Sequence, residues 1–235
     1  AGAGVRGAAG LVRPHVAQLP LSPTLGINET VAGLRAAGRR VFHFGFGQSP
    51  FPVPQLVQAA LRRHAAEKDY LPVRGLPRLQ EAVAAHMRPA RPQRPDLVAV
   101  GPGSKQLLFQ MFLLFSGPVA LPAPAWVSYL PQLQLAGGRP LLLPTDAANR
   151  WHVQPDALEE LCQAHAGERL LLLLNSPCNP TGQCYTRAEM EALVAVCRRH
   201  GVVLLADEIY GLVHHADAHV SFAELYPEGA VVSSG

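Results

Sequence analysis

The 235 residues predict an α/β fold, a mostly parallel sheet flanked by helices, and three observations lead there. From about Val41 onward, apolar runs of strand length alternate with segments of helical periodicity, the pattern of successive strand–helix units. The strand runs are continuously apolar rather than alternating, as in a parallel sheet covered on both faces. Glycine and capping signals fall at the junctions between the two kinds of segment.

Before Val41, "LSPTLGINETVAGLRAAG" reads as a lone amphipathic helix entered through a Ser-Pro turn, more an arm than a domain. Residues 1–49 are therefore expected to form an N-terminal arm and helix, and residues 50–235 the body. Strands are expected at "RVFHF", "DLVAV", "PVAL", "RPLLL", "ERLLLLL", "GVVLLAD" and "AVVSS". Between them "PQLVQAALRRHAAE", "LPRLQEAVAAHM", "KQLLFQMFLLF", "WVSYLPQLQLAG", "ALEELCQAHA" and a long segment from about Thr186 to His200 carry helical spacing. Gly117-Pro118, Gly137-Gly138 and Gly201 close helices or open strands, and Thr186 with Glu189 forms a capping box. No internal repeat is present.

Composition narrows the function classes. Twenty basic residues against 17 acidic ones leave a net charge of only +3, and the arginines are scattered, so neither nucleic acid nor a membrane surface is an expected partner. "LLLLL" at 170–174 is strand length, well short of the roughly 18 residues a membrane helix needs. Cys162, Cys178, Cys184 and Cys197 form no CxxC pair, which argues against zinc and against a disulfide framework and favours a reduced intracellular compartment. The first 28 residues hold no acid and carry Arg6 and Arg13, a faint likeness to an organelle transit segment. A flexible arm without an address is the preferred reading, with a cytoplasmic location expected and a mitochondrial one as the alternative.

Ligands of doubly wound sheets bind at the carboxyl ends of the strands, so polar residues after each apolar run are the candidates. In "VAVGPGSKQLLF" a Gly-Pro-Gly turn opens a helix near Ser104; the backbone N–H groups of Gly103, Ser104 and Lys105 make a phosphate cradle. It matches neither GxxxxGK[ST] nor GxGxxG. In "ALPAPAWVSY" prolines deliver Trp126, a core filler or a stacking platform for a planar ring. "NSPCNPTG" holds an asparagine rigidly between two prolines. In "GVVLLADEIYG", Asp207 ends a buried strand and wants a cation or donors, while Tyr210 lies on a turn that returns its hydroxyl to the same place. Together these pieces outline a phosphorylated planar ring with a nitrogen that suits a carboxylate and an oxygen that accepts from Asn and Tyr, which describes pyridoxal phosphate.

With "HFGFGQSPFPVP", "KDYLPVRGLPRLQEAV", "GPGSKQ", "PAPAWVSY", "NSPCNPTG" and "ADEIY" in this order, the chain from about Ser22 to Gly235 resembles the class I/II aminotransferases, fold-type I pyridoxal-phosphate enzymes. The resemblance implies that residues 1–49 include the start of a small-domain region and that residues 50–235 are the cofactor-binding large domain, incomplete at its C-terminus. It implies that Asn179 and Tyr210 donate to the cofactor's 3-oxygen, stabilising a phenolate. Asp207 would keep the pyridine nitrogen protonated. Trp126 would stack on the ring, Gly103, Ser104 and Lys105 would hold the phosphate, and Gly47 would offer its backbone to the substrate carboxylate. Tyr70 resembles the residue that reaches the phosphate of a neighbouring subunit, which implies a homodimer acting on an amino acid and a 2-oxo acid. The family's Schiff-base lysine matches neither Lys68 nor Lys105 and is expected beyond Gly235, after "VVSSG", so the chain by itself is expected to be inactive.

Two other functions stand beside this one: a cysteine-conjugate β-lyase-type elimination on the same cofactor, and a non-catalytic binding or dimerising protein. No metal is expected, although His214, His215 and His219 of "VHHADAH" lie close together in what reads as a loop. Cys178 reads as a small loop residue, Glu208 as solvated or locally paired, and Phe46 and Phe51 as a weak hint of an apolar side-chain pocket.

Overall fold

The computed structural model describes residues 11–19, 23–45, 47, 49, 51–87, 94–213 and 219–232. The chain divides into two compact units, Ala1–Tyr70 and Leu71–Gly235.

The first unit holds α1 (Pro14–Ala17), α2 (Pro23–Ala36) and α3 (Gln55–His64). Helix α2 is the arm helix expected from the sequence, and it stops where Gly38, at φ +76°, adopts a left-handed turn that a side chain would resist. The expected strand "RVFHF" is absent: residues 41–44 have no ladder partner among the described residues, and Phe42 and Phe44 are exposed. Apolar content makes a strand only where a neighbour accepts its hydrogen bonds.

The second unit runs α4 (Pro77–Met87), a 3₁₀ turn (Pro95–Leu97), α5 (Ser104–Leu114), β1 (Val119–Ala123), α6 (Tyr129–Leu135), β2 (Pro140–Pro144), α7 (Pro155–Ala164), β3 (Leu171–Asn175), α8 (Arg187–His200), β4 (Val203–Asp207), α9 (Phe222–Leu225) and β5 (Ala230–Val232). The expected strand "DLVAV" is replaced by the 3₁₀ turn and a coil segment. Its polar groups go elsewhere: Val100 N–H donates to Arg74 O at 3.0 Å, and Gln80 Nε2 donates to Val98 O at 2.7 Å.

The five strands form one parallel sheet in the order β2-β1-β3-β4-β5. Strand β3 explains the continuous apolar run. Leu172 and Leu174 enter the core shared with α7, α8 and α9, while Leu171 and Leu173 enter the core shared with α5 and α6. Both faces are covered, so both parities of the strand must be apolar.

The chain leaves β1 for β2 on one side and then returns to β3 on the other, which makes the β1/β3 junction the topological switch point of the sheet. There the two strands pair only at Val119↔Leu171 and Ala120↔Leu172 and then part. The parting opens the carboxyl ends of β1, β3 and β4 to a ligand.

Candidate active site

A cleft of about 280 Å³ lies at those carboxyl ends, close to the lower bound of the roughly 300–1,000 Å³ usual for small-molecule sites. Gly103, Ser104, Lys105, Trp126, Asn179, Asp207 and Tyr210 all line it. Three further residues, Tyr129, Asn175 and Ile209, complete the wall. Gly47 and Tyr70 belong to the first unit and are exposed to solvent there.

Asp207 is the centre of the polar network. It is the last residue of β4 and is buried, because continuing a core strand by one residue carries the side chain in with it. Burial pushes its carboxyl above the usual carboxylate range, opposed by the donors it accepts from. Tyr129 O–H donates to Oδ2 at 2.6 Å and Ile209 N–H to Oδ1 at 3.2 Å. Tyr129, three residues past Trp126 at the start of α6, is itself buried, which together with the Asp207 charge raises its phenol, so it stays a donor. Its ring meets Trp126 edge-on at 5.3 Å between centroids and holds the indole at the cleft wall.

The two asparagines of "NSPCNPTG" divide the work. Asn175, at the end of β3, donates its amide to Asp207 O at 2.8 Å and accepts Asn179 N–H at 2.6 Å. It thus bridges the ends of β3 and β4 and anchors the loop, whose Ser176-Pro177 and Asn179-Pro180 bonds are cis. Asn179 is left with its side chain at the cleft, Nδ2 3.5 Å from Tyr210 Oη, so the two groups converge on one point.

At the opposite end, Gly103 at φ +97° caps α5 without a side-chain bond. Its own N–H donates to Gly101 O at 2.8 Å, so the anion cradle expected from three N–H groups rests on Ser104 and Lys105, the first two residues of the helix. The Lys105 ammonium sits 5.1 Å from the Trp126 ring centre.

The structure places the remaining candidates outside this cluster. Glu208 is buried rather than solvated: Phe222 N–H donates to Oε1 at 2.7 Å, and His219 Nε2 lies 3.0 Å from Oε2. His219 is therefore paired with a carboxylate, His214 and His215 lie outside the described residues, and no metal-ligating group of three occurs among the described residues. Phe46 also lies outside the described residues, and Phe51 is exposed in the first unit. The sequence offered a signal for Asn175, a polar residue ending an apolar strand, and for Tyr129, three residues past Trp126 on a helix. Neither signal says which strand end it will meet.

The model of the aminotransferase class I and II family matches residues 39–235. The chain is 40% identical over 224 residues to the aspartate aminotransferase of Geobacillus stearothermophilus, covering 91% of this chain and 56% of the relative. It is 34% identical over 221 residues to that of Bacillus subtilis, covering 90% and 55%. Among solved structures, the aspartate aminotransferase from Thermus thermophilus with maleate superposes with a TM-score of 0.86 at 30% identity, over 94% of this chain and 59% of that one. The chain spans a little over half the length of these relatives. No helix among the described residues is long and apolar enough to cross a membrane.

Proposed function

Because the chain belongs to the aminotransferase class I and II family, we propose that residues 50–235 hold pyridoxal phosphate in this cleft and serve amino-group exchange between an amino acid and a 2-oxo acid. The single observation that carries the reading is Asp207, a carboxylate buried at the floor of an open cleft. A cationic ring nitrogen offsets the burial that raises its pKa, so the donor set fits the cofactor.

The residues then take definite parts. Asp207 holds a proton on the ring nitrogen, and Tyr129 and Ile209 N–H keep its two oxygens oriented. Asn179 and Tyr210 donate to the 3-oxygen from their common point. Trp126 covers one face of the ring, and the N–H groups of Ser104 and Lys105 receive the phosphate at the positive end of α5, next to Gly103. When bound, pyridoxal phosphate supplies an electron sink for the pair left when the substrate's Cα–H bond breaks. We assign the covalent lysine to neither Lys68 nor Lys105, so the 235 residues alone are not expected to turn over. Gly47 is assigned to the substrate carboxylate and Tyr70 to the phosphate of a neighbouring subunit, which makes the assembly a homodimer. The relatives' names, together with the Lys105 ammonium on the cleft wall, favour a dicarboxylic amino donor.

The test is to incubate the protein, as its source makes it, with pyridoxal phosphate and aspartate, then to reduce a second sample with borohydride and weigh it. Transfer predicts a 2-oxo acid with stoichiometric pyridoxamine phosphate, and a pyridoxyl mass on a lysine other than Lys68 and Lys105. Ammonia and pyruvate from an elimination substrate, without amino exchange, would replace transfer by elimination. Cofactor uptake with no adduct and no product would leave a non-catalytic binding protein.

A further inference from the structure

A second, smaller cavity lies where β1 and β3 part, and the activity proposed above makes no use of it. It measures about 20 Å³, against the ~10–15 Å³ that one water molecule occupies. Pro122 and Pro124 border it from β1 and the turn after it, Leu173 and Asn175 from β3, and His152 and Asn179 from the loops. Asn179 borders the larger cleft as well, as do Tyr129 and Asn175.

His152 is the unexplained group. It is 2% exposed and stacks on Tyr185 at 4.1 Å between ring centres. Nδ1 lies 3.2 Å from Glu189 Oε1. A carboxylate only accepts, so Nδ1 carries the hydrogen, and burial lowers the imidazole's pKa against the pull of Glu189, disfavouring a second proton on Nε2. Nε2 then presents a lone pair, and it is buried with no hydrogen-bond partner among the described residues. The chain brings this ring in through two successive residues in left-handed backbone, Arg150 at φ +54° and Trp151 at φ +58°. His152 Nε2 is a buried acceptor without a partner among the described residues, and His152 is one of the residues that border this small, mainly apolar space, so one small donor placed there would satisfy it.

We infer that the cavity between β1 and β3 is a single-water site built on His152, and that through this water His152 positions the side-chain amide of Asn179. The water donates one hydrogen to His152 Nε2 and the other to Asn179 Oδ1. With its oxygen held inward, the amide must present its NH₂ to the cleft, the face on which Tyr210 Oη lies 3.5 Å away. The second half of the inference rests on the reading of Asn179 as a contact to the cofactor's 3-oxygen. His152 is thus a positioning residue and touches no reacting atom.

The experiment is a crystal structure, at a resolution that shows ordered water, of the pyridoxal-phosphate-loaded protein and of its His152→Phe and His152→Gln variants, each also titrated by cofactor absorbance against pH. The wild type should show a water about 2.8–3.0 Å from Nε2. His152→Phe should lose that water and move the absorbance midpoint upward, with about threefold to tenfold weaker cofactor retention. His152→Gln, which keeps an acceptor, should restore most of both and guards against a misfolded phenylalanine variant. A protein donor at Nε2, such as the Cys178 thiol, or a dry cavity in the loaded wild type would overturn the water site. Loss of the water with an unmoved midpoint, or a glutamine variant as impaired as the phenylalanine one, would overturn the positioning role. Failure of the wild type to take up pyridoxal phosphate at all would instead overturn the reading of the cleft.

Discussion

Asp207 and Tyr129 form a pair whose two members answer to different measurements. Replacing Asp207 with Asn keeps the shape but removes the charge proposed to hold a proton on the ring nitrogen, and kcat should fall by about 10²–10³-fold in the loaded protein. A variant with wild-type kcat would remove Asp207 from the site. Tyr129→Phe leaves the buried carboxylate one donor short, which should lower stability by about 1.5–3 kcal/mol in urea unfolding without cofactor. The loss should shrink once pyridoxal phosphate is bound, because the ring nitrogen then supplies a partner. Asp207 was legible in the sequence because an acid after five apolar residues has no cheap explanation. Tyr129 was not, since a tyrosine on an apolar helix face is ordinarily volume, and only the meeting of β4 with α6 gives its hydroxyl an address.

Helix α8 shows how an element holds the site from behind. Its N-cap Thr186 and Glu189 form the full capping box, and Glu189 also receives Arg150 and His152. Burial alone would raise the Glu189 carboxyl, but the Thr186 donors, Arg150 and His152 outweigh it and bring it to about 2. A folded-state pKa depressed below the ordinary value of 4.5 contributes stability that is complete above about pH 4.5 and is lost as the pH falls toward 2. Glu189→Gln should therefore flatten the acid limb of the stability curve between those values, and Thr186→Ala should cost about 1 kcal/mol at neutral pH. An acid limb unchanged in Glu189→Gln would show that the capping carboxylate is not coupled to folding. The capping box was plain in the sequence because it is written within four residues. The strands of the sheet were plain because burial on both faces leaves no polar parity. "RVFHF" and "DLVAV" misled for the complementary reason: a strand is a property of two segments, and nothing in an apolar pentapeptide names its partner.

At the scale of the whole molecule, the question is whether one chain makes a complete site. The first unit carries Phe42, Phe44, Leu56, Leu61 and Tyr70 on its surface, and α3 has no buried residue, more exposed apolar surface than an isolated soluble unit usually keeps. The proposed homodimer would cover such surface and would give Tyr70 a phosphate in the neighbouring subunit's site. That assignment has a consequence no single-chain site shares. In a dimer formed from one Tyr70→Ala subunit and one Asp207→Asn subunit, one site collects both lesions and the other has none. Two variants that are each nearly inactive at limiting pyridoxal phosphate should therefore regain activity on mixing, up to about one quarter of wild type when subunits exchange at random between two-fold dimers. If Tyr70 served its own chain, every site in the mixture would keep one lesion and the mixture would stay as inactive as its components. The measurement is activity after co-refolding equal amounts of the two full-length variants, with sedimentation equilibrium reporting the mass of the assembly. Recovery would place the phosphate contact across the two-fold axis, and its absence in a sample that sediments as a dimer would return Tyr70 to the surface of its own subunit.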